Sequence, residues 1–209
     1  MDSSLFLRET KKFRLHSLEI CGIIIVEVEG LLWRKERVTM FAVGDLVVYG
    51  GEGVCRVESI GPAAVPGADK NRLYYTLVPL YRTGQVLTPV DTRVLMRPTL
   101  TEQEARALVE SLPTLTPEET LPGNVRLLKD YYQAIVTGYD CAAMAQLLHT
   151  LDNRRRKAAK QGKKPSQMDE RYAKRAEDQL FGELGAALGL PRESVRGYIR
   201  QRHPNWPEV

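Results

Sequence analysis

The side chains that most often carry out chemistry in proteins are few and scattered in this sequence. The three cysteines, Cys21, Cys55 and Cys141, show no C-x-x-C spacing, and the three histidines lie far apart. These spacings argue against a zinc site and a disulfide framework, and they fit a reducing cytoplasm. The chain contains no dinucleotide-binding, phosphate-loop, metalloprotease or serine-hydrolase motif. We therefore predict a cytoplasmic protein that is not an enzyme and that uses neither a metal ion nor a cofactor.

Two features near residue 50 could be mistaken for a chemical site. Residues 50–53 read Gly-Gly-Glu-Gly, but no Lys-Ser/Thr pair comes after them and they lie between two predicted strands. A phosphate-binding loop leads into a helix, so we interpret this segment as a hairpin turn. Cys55 lies on the strand after the turn, where we expect a buried and unreactive thiol.

Positive charge is concentrated in the last third of the chain. The formal net charge is +4, but residues 150–203 contain 14 Lys or Arg against 7 Asp or Glu. Such a stretch attracts nucleic-acid phosphates independently of base sequence, although it can also be no more than a solvated helix face. Six cations in its densest part are predicted to bind DNA: Arg154, Arg155, Arg156, Lys157, Lys163 and Lys164.

Residues 1–39 differ in character from the rest of the chain. Basic residues precede an apolar stretch over residues 18–28, but this stretch carries two glutamates and no small-residue cleavage site comes after it, which argues against a signal peptide. Lys35 and Glu36 can be encoded as AAG-GAG, a bacterial ribosome-binding sequence at a suitable distance before the codon of Met40. We predict that translation starts at Met40 and that residues 1–39 are an upstream or non-native extension.

Short strands are predicted over residues 40–97. Runs such as Leu-Val-Val-Tyr at 46–49 are rich in β-branched and aromatic residues, and Gly- and Pro-containing turns separate them. Four or five strands in fewer than 60 residues favour a small SH3-like or Tudor-like β-barrel.

Residues 98–203 show the patterns of helices, and residues 204–209 form a short tail. Thr101 and Glu104 have the spacing of a capping box, while Thr116 with Pro117 after it resembles a second helix start. The fold class is therefore α+β, a barrel followed by an all-α domain. The longest apolar run, residues 20–26, is far shorter than the roughly 20 residues that cross a bilayer, so no membrane association is expected.

Several motifs of residues 40–190 resemble the CarD/CdnL family of bacterial transcription regulators. Residues 41–49, Phe-Ala-Val-Gly-Asp-Leu-Val-Val-Tyr, are similar to the opening motif of that family. Residues 86–91, Val-Leu-Thr-Pro-Val-Asp, and residues 181–184, Phe-Gly-Glu-Leu, match later motifs. The resemblance implies that the barrel binds the β subunit of RNA polymerase by adding an edge strand. It also implies that the helices bind promoter DNA and stabilise the open complex. The docking strand would comprise Gln85, Val86, Leu87 and Thr88.

The resemblance also assigns DNA contacts to the second helix, with departures. Asn124 stands where many family members have a tryptophan that wedges into DNA, and an asparagine cannot stack in this way. Tyr131, Tyr132 or backbone groups could supply that contact instead. Arg126 and Lys129 match basic positions after the wedge and would contact phosphates. In the docking strand, Leu87 replaces an arginine found in some members.

Two other functions remain open at this point. The glycine turn at Gly189 and the basic segment after it have the look of a helix-turn-helix, which would suit a sequence-specific repressor. A protein-interaction scaffold without a DNA role would suit a basic run that is only solvated. The sequence carries no dimer signal, so a monomer is expected.

Overall fold

In the computed structural model, the chain divides into two compact units, Met1–Met40 and Phe41–Val209. The structure describes residues 41–63, 69 and 71–207, together with three short strands in the first unit. Those strands form an antiparallel sheet in chain order: β1 (Leu18–Ile20), β2 (Ile23–Val28) and β3 (Leu31–Trp33). The predicted translation start at Met40 lies outside the described residues.

The second unit contains five strands followed by five helices. The strands are β4 (Leu46–Tyr49), β5 (Gly53–Pro62), β6 (Leu73–Pro79), β7 (Val86–Pro89) and β8 (Met96–Pro98). The helices are α1 (Glu102–Ser111), α2 (Val125–Gly138), α3 (Cys141–Lys160), α4 (Gln167–Leu188) and α5 (Arg192–Arg202), with a short 3₁₀ turn (Leu112–Thr114) after α1. The predicted α+β class, strands first and helices second, is confirmed.

The five strands form one antiparallel sheet in the order β7-β6-β5-β4-β8. Among the described residues, β7 and β8 each pair with a single neighbour. The sheet therefore stays open and does not close into the predicted barrel. Both edge strands are short and end in proline, Pro89 and Pro98. Because proline has no N–H to donate, it limits further pairing at these edges. The sheet therefore keeps two edges, although it curls enough for Tyr49 on β4 to reach Thr88 on β7 (3.1 Å).

The two faces of the sheet pack against different neighbours. Val47 and Cys55 lie in a cluster within the sheet domain, beneath Tyr75. Their strand neighbours Val48 and Val54 turn the other way and pack with residues of the helical region. A bulge in β5 after Val57 shifts the register with β6, which interrupts the alternation expected from the sequence.

Polar side chains fix the starts of the helices. Thr101 and Glu104 form the predicted capping box of α1, and Asn124, Asp140 and Ser166 each accept a backbone N–H at the start of α2, α3 and α4. Each cap satisfies amides that would otherwise lack partners in the first turn. The main hydrophobic core lies among these helices and includes the fully buried Tyr132, Met144 and Leu180 of α2, α3 and α4.

One helix start and one helix cap differ from the sequence-based expectation. No helix starts at Thr116, because the nearby Leu-Pro-Gly at 121–123 leaves no room for one, and Glu118 donates its N–H to Thr150 instead (2.9 Å). Helix α2 ends at Gly138, as predicted, but the residue with left-handed backbone angles is Tyr139 (φ 53°) and not the glycine. None of the helices in the described part of the chain is long and apolar enough to cross a bilayer.

Candidate interaction surfaces

The predicted docking strand lies at an edge of the sheet. β7 pairs with β6 alone, and Val90 donates its N–H to the carbonyl of Leu73 (3.0 Å) just beyond the strand end. Hydrogen-bonded and non-hydrogen-bonded pairs alternate along an antiparallel ladder. Given the bond at Val90, Thr88 and Val86 turn their backbone groups toward β6. Leu87 therefore directs its N–H and C=O away from the sheet, toward the open edge.

The same alternation defines the rest of this edge. Gln85 also directs its N–H and C=O outward, whereas Pro89 offers a carbonyl but no donor. The free donors of the edge are therefore those of Gln85 and Leu87, two residues apart. An incoming antiparallel strand needs this spacing to form a pair of hydrogen bonds.

The side chains of the docking strand have separate tasks. Thr88 is buried and accepts a hydrogen bond from the Tyr49 hydroxyl (3.1 Å), which ties the edge to the core. Gln85 donates to a carboxylate oxygen of Glu58 (2.7 Å). Val86 packs against the sheet core, while Leu87 is 37% exposed. The strand thus presents one apolar side chain beside two free backbone donors.

The first turn of α2 forms a second exposed surface, which holds the positions expected to contact DNA. Asn124 accepts the N–H of Arg126 (2.8 Å) and of Leu127 (3.4 Å), so its side chain caps the helix. Arg126 and Lys129 are exposed. Val125 and Leu127 beside them are 71% and 59% exposed, an unusual position for aliphatic side chains.

The tyrosines offered as substitutes for the missing tryptophan are placed differently. Tyr132 is fully buried, and its hydroxyl donates to Asp169 (3.2 Å). Burial raises the pKa of this hydroxyl, and the Asp169 carboxylate raises it further. Tyr131 is half-buried against the helical core. Among the large apolar side chains of α2, only Val125 and Leu127 are therefore exposed.

The basic run divides into two groups that the sequence did not distinguish. The guanidinium of Arg154 donates to Asp169 on α4 (2.7 Å). Arg155 and Arg156 both donate to the buried Asp152, one turn earlier on α3 (2.8 and 2.6 Å). These three arginines neutralise carboxylates of the fold. The spacing of Asp152 to the two arginines, three and four residues, was a signal for this pairing.

The lysines of the run line a cavity at the protein surface. Lys157, Lys163 and Lys164 line a volume of about 330 Å³ between the end of α3 and the start of α4. Arg154 and Arg155 line the same cavity, together with the carboxylates of Asp169 and Glu170. The two groups of cations therefore differ in their carboxylate partners and not in their location. Lysine ammonium groups in such a lining attract phosphate oxygens as point charges.

The C-terminal helix is packed into the bundle. Val195 and Ile199 of α5 are fully buried in the helical core, and Arg196 pairs with Glu177 of α4. Beyond the helix, the indole of Trp206 is buried against His149, with the rings edge to face at 5.0 Å. Burial lowers the pKa of His149. These contacts give α5 a structural role in the bundle.

Two observations concern the residue types that most often carry out chemistry. No group of three or more His, Cys, Asp or Glu among them could hold a metal ion. Burial raises the pKa of Cys55 to about 11, so its thiol is protonated at neutral pH and is a weak nucleophile.

Comparison with known proteins identifies one region of the chain. Residues 41–100 match the family model described as the CarD-like/TRCF RID domain. No curated protein matches the chain. The match covers all of the five-stranded sheet β4–β8 and ends just before α1.

The division of the basic run can be tested by unfolding. We expect Arg154→Ala to lower the free energy of unfolding by about 1–2 kcal/mol, because it leaves the buried Asp169 with only the Tyr132 hydroxyl. Lys163→Ala removes the same charge from the cavity and should change stability by less than about 0.5 kcal/mol. Urea unfolding of both variants checks this, and equal losses would contradict the assignment.

Proposed function

From a chain whose residues 41–100 form a CarD-like/TRCF RID domain, we propose a transcription regulator with two contacts. RID denotes an RNA-polymerase-interacting domain, so a polymerase is the partner that this part of the chain implies. The finer proposal is that β7 binds the β subunit of RNA polymerase and that the helical region binds promoter DNA. Together these contacts stabilise the open complex.

The observation that carries the proposal is the open edge at β7. Leu87 directs both backbone groups outward, and Thr88 anchors the strand from the other side through Tyr49. In β-augmentation, the main-chain bonds of an added strand supply affinity and the flanking side chains supply selectivity. Leu87 lacks the charge that an arginine would bring here, so the contact rests on backbone pairing and one apolar side chain.

Two sets of cations support the DNA contact. Lys157, Lys163 and Lys164 line one groove, and Arg126 and Lys129 flank the exposed first turn of α2. Contacts of this kind position a protein on the phosphate backbone without reading sequence. Promoter choice would then come from the polymerase, and the protein would act on any promoter that the polymerase has opened.

Asn124 has a structural task in this proposal. Its side chain caps α2, and the apolar contact with DNA falls instead to the exposed Val125 and Leu127. Aliphatic side chains can lean on a base step, although they stack less well than an indole. We therefore infer a weaker grip on the upstream edge of the melted region than a tryptophan would give.

A proline at position 87 tests the polymerase contact. Leu87→Pro removes a donor that faces away from β6, so the sheet keeps its own hydrogen bonds. We expect binding to the isolated polymerase β subunit to weaken at least tenfold, measured by biolayer interferometry with the full chain. Leu87→Ala is the matched control, because it trims the side chain but keeps the N–H, and it should lose less. Equal affinities of the two variants would rule out backbone pairing at this edge.

Removal of the three cavity lysines tests the DNA contact. The triple change Lys157→Ala, Lys163→Ala and Lys164→Ala should weaken binding to duplex DNA to a similar degree for unrelated sequences. The slope of log K against log salt should also fall by roughly 0.9 for each lost phosphate contact.

The matched control for this experiment changes the same charge on the sheet. It replaces three exposed arginines of that region with alanine: Arg72, Arg82 and Arg93. We expect its DNA affinity to stay close to that of the unchanged protein. A selective loss on one sequence would favour a repressor, and no binding even at low salt would favour a scaffold without a DNA role.

A further inference from the structure

The carboxylate of Glu183 joins the sheet to the helices. Glu183 lies on α4 with its side chain 2% exposed, and both oxygens bind the guanidinium of Arg97 on β8 (2.6 and 2.8 Å). Arg97 also donates to the carbonyl of Tyr139, at the end of α2. The N–H of Leu100 and the thiol of Cys141 donate to the same carboxylate (3.0 and 3.2 Å). One buried group therefore collects contacts from β8, from the segment leading into α1 and from α3.

Two further contacts span the same boundary. The hydroxyl of Tyr139 accepts the N–H of Gly51, in the turn between β4 and β5 (2.5 Å). Tyr81, after β6, donates its hydroxyl to the carbonyl of Gly182 (2.9 Å). The ring of Tyr81 lies so close to Gly182 that a Cβ there would stand 3.1 Å from it. The boundary is therefore closely packed at three separate points.

The position of this junction matters for the two surfaces. Arg97 lies on β8, the edge opposite β7, and the cavity lysines lie at the far end of α3 from Cys141. Neither Arg97 nor Glu183 belongs to either surface. A change at the junction can therefore alter the angle between the surfaces while leaving each surface intact.

We propose that the Arg97–Glu183 pair is a positioning device that holds the polymerase-binding edge and the DNA-binding helices at a fixed angle. This inference rests on the proposed function. When one surface is bound, the second contact becomes intramolecular, and its strength depends on how often the free surface points at its target. A fixed angle raises the effective concentration of the second surface near its target. A loose junction lowers it, because the second surface then samples many orientations.

Charge-matched variants separate this role from simple stability. Arg97→Gln leaves a buried carboxylate without its cation and should lower the melting temperature clearly. The double variant Arg97→Gln with Glu183→Gln removes both charges and should regain much of that loss. It cannot restore the two parallel ionic bonds that fix the angle. Stability should therefore recover in the double variant, whereas positioning should not.

The readout compares separate and joint binding by the full chain. For the double variant, we expect affinities for the isolated β subunit and for duplex DNA to stay within about twofold of the unchanged protein. Affinity for the polymerase–promoter open complex should fall roughly tenfold or more. Double electron–electron resonance between labels at Arg93→Cys and Ala134→Cys should show a broader distance distribution.

Tyr81→Phe provides an independent variant that removes one hydrogen bond and no charge. It should shift the joint affinity in the same direction, by less than the double variant. If both variants bind the open complex as the unchanged protein does, the positioning role is wrong. If the unchanged protein binds neither the β subunit nor DNA, the proposed function fails first, so the two failures are distinguishable.

Discussion

A carboxylate buried at the boundary between a sheet and a helical bundle must be neutralised, and in this structure the groups that neutralise it hold the sheet against the helices. Glu183 obtains a bidentate cation from Arg97 and further donors from neighbouring segments. Because Arg97 lies on β8 and Glu183 on α4, the pair attaches this end of the sheet to the helices. The opposite edge, β7, is left open. The same interaction thus joins the sheet to the helices at the edge opposite β7.

The charge of the chain acquires meaning only through its placement. A net charge of +4 is unremarkable, but the arginines at 154–156 neutralise Asp152 and Asp169 within the bundle. The lysines that come after them line an open groove. Arg154 and Arg155 also line that groove. Under the proposed function, one continuous basic segment would both stabilise the bundle and attract phosphates. The planar guanidinium of arginine suits a carboxylate held in a fixed position, whereas the flexible ammonium of lysine suits the phosphate backbone of DNA.

Local signals in the sequence predicted most of the fold. Strand runs and capping residues such as Thr101 are encoded by neighbours in the chain, so their patterns are readable. Thr116 has the pattern of a helix start, yet the Leu-Pro-Gly after it leaves no room for a helix. The arginine at 154 could not be assigned from spacing, because its partner Asp169 lies on another helix. The role of Glu183 was equally hidden, since its contacts come from residues more than 40 positions away.

The central claim is that a polymerase strand pairs with the open edge at β7, and amide hydrogen exchange tests it most directly. Exchange should be measured in the full chain with and without the isolated β subunit of RNA polymerase. The account predicts that the amides of Gln85 and Leu87, which face outward, become protected, while those of Val86 and Thr88 change little because β6 already holds them. Protection confined to the helices, with no change at Gln85 and Leu87, would contradict it.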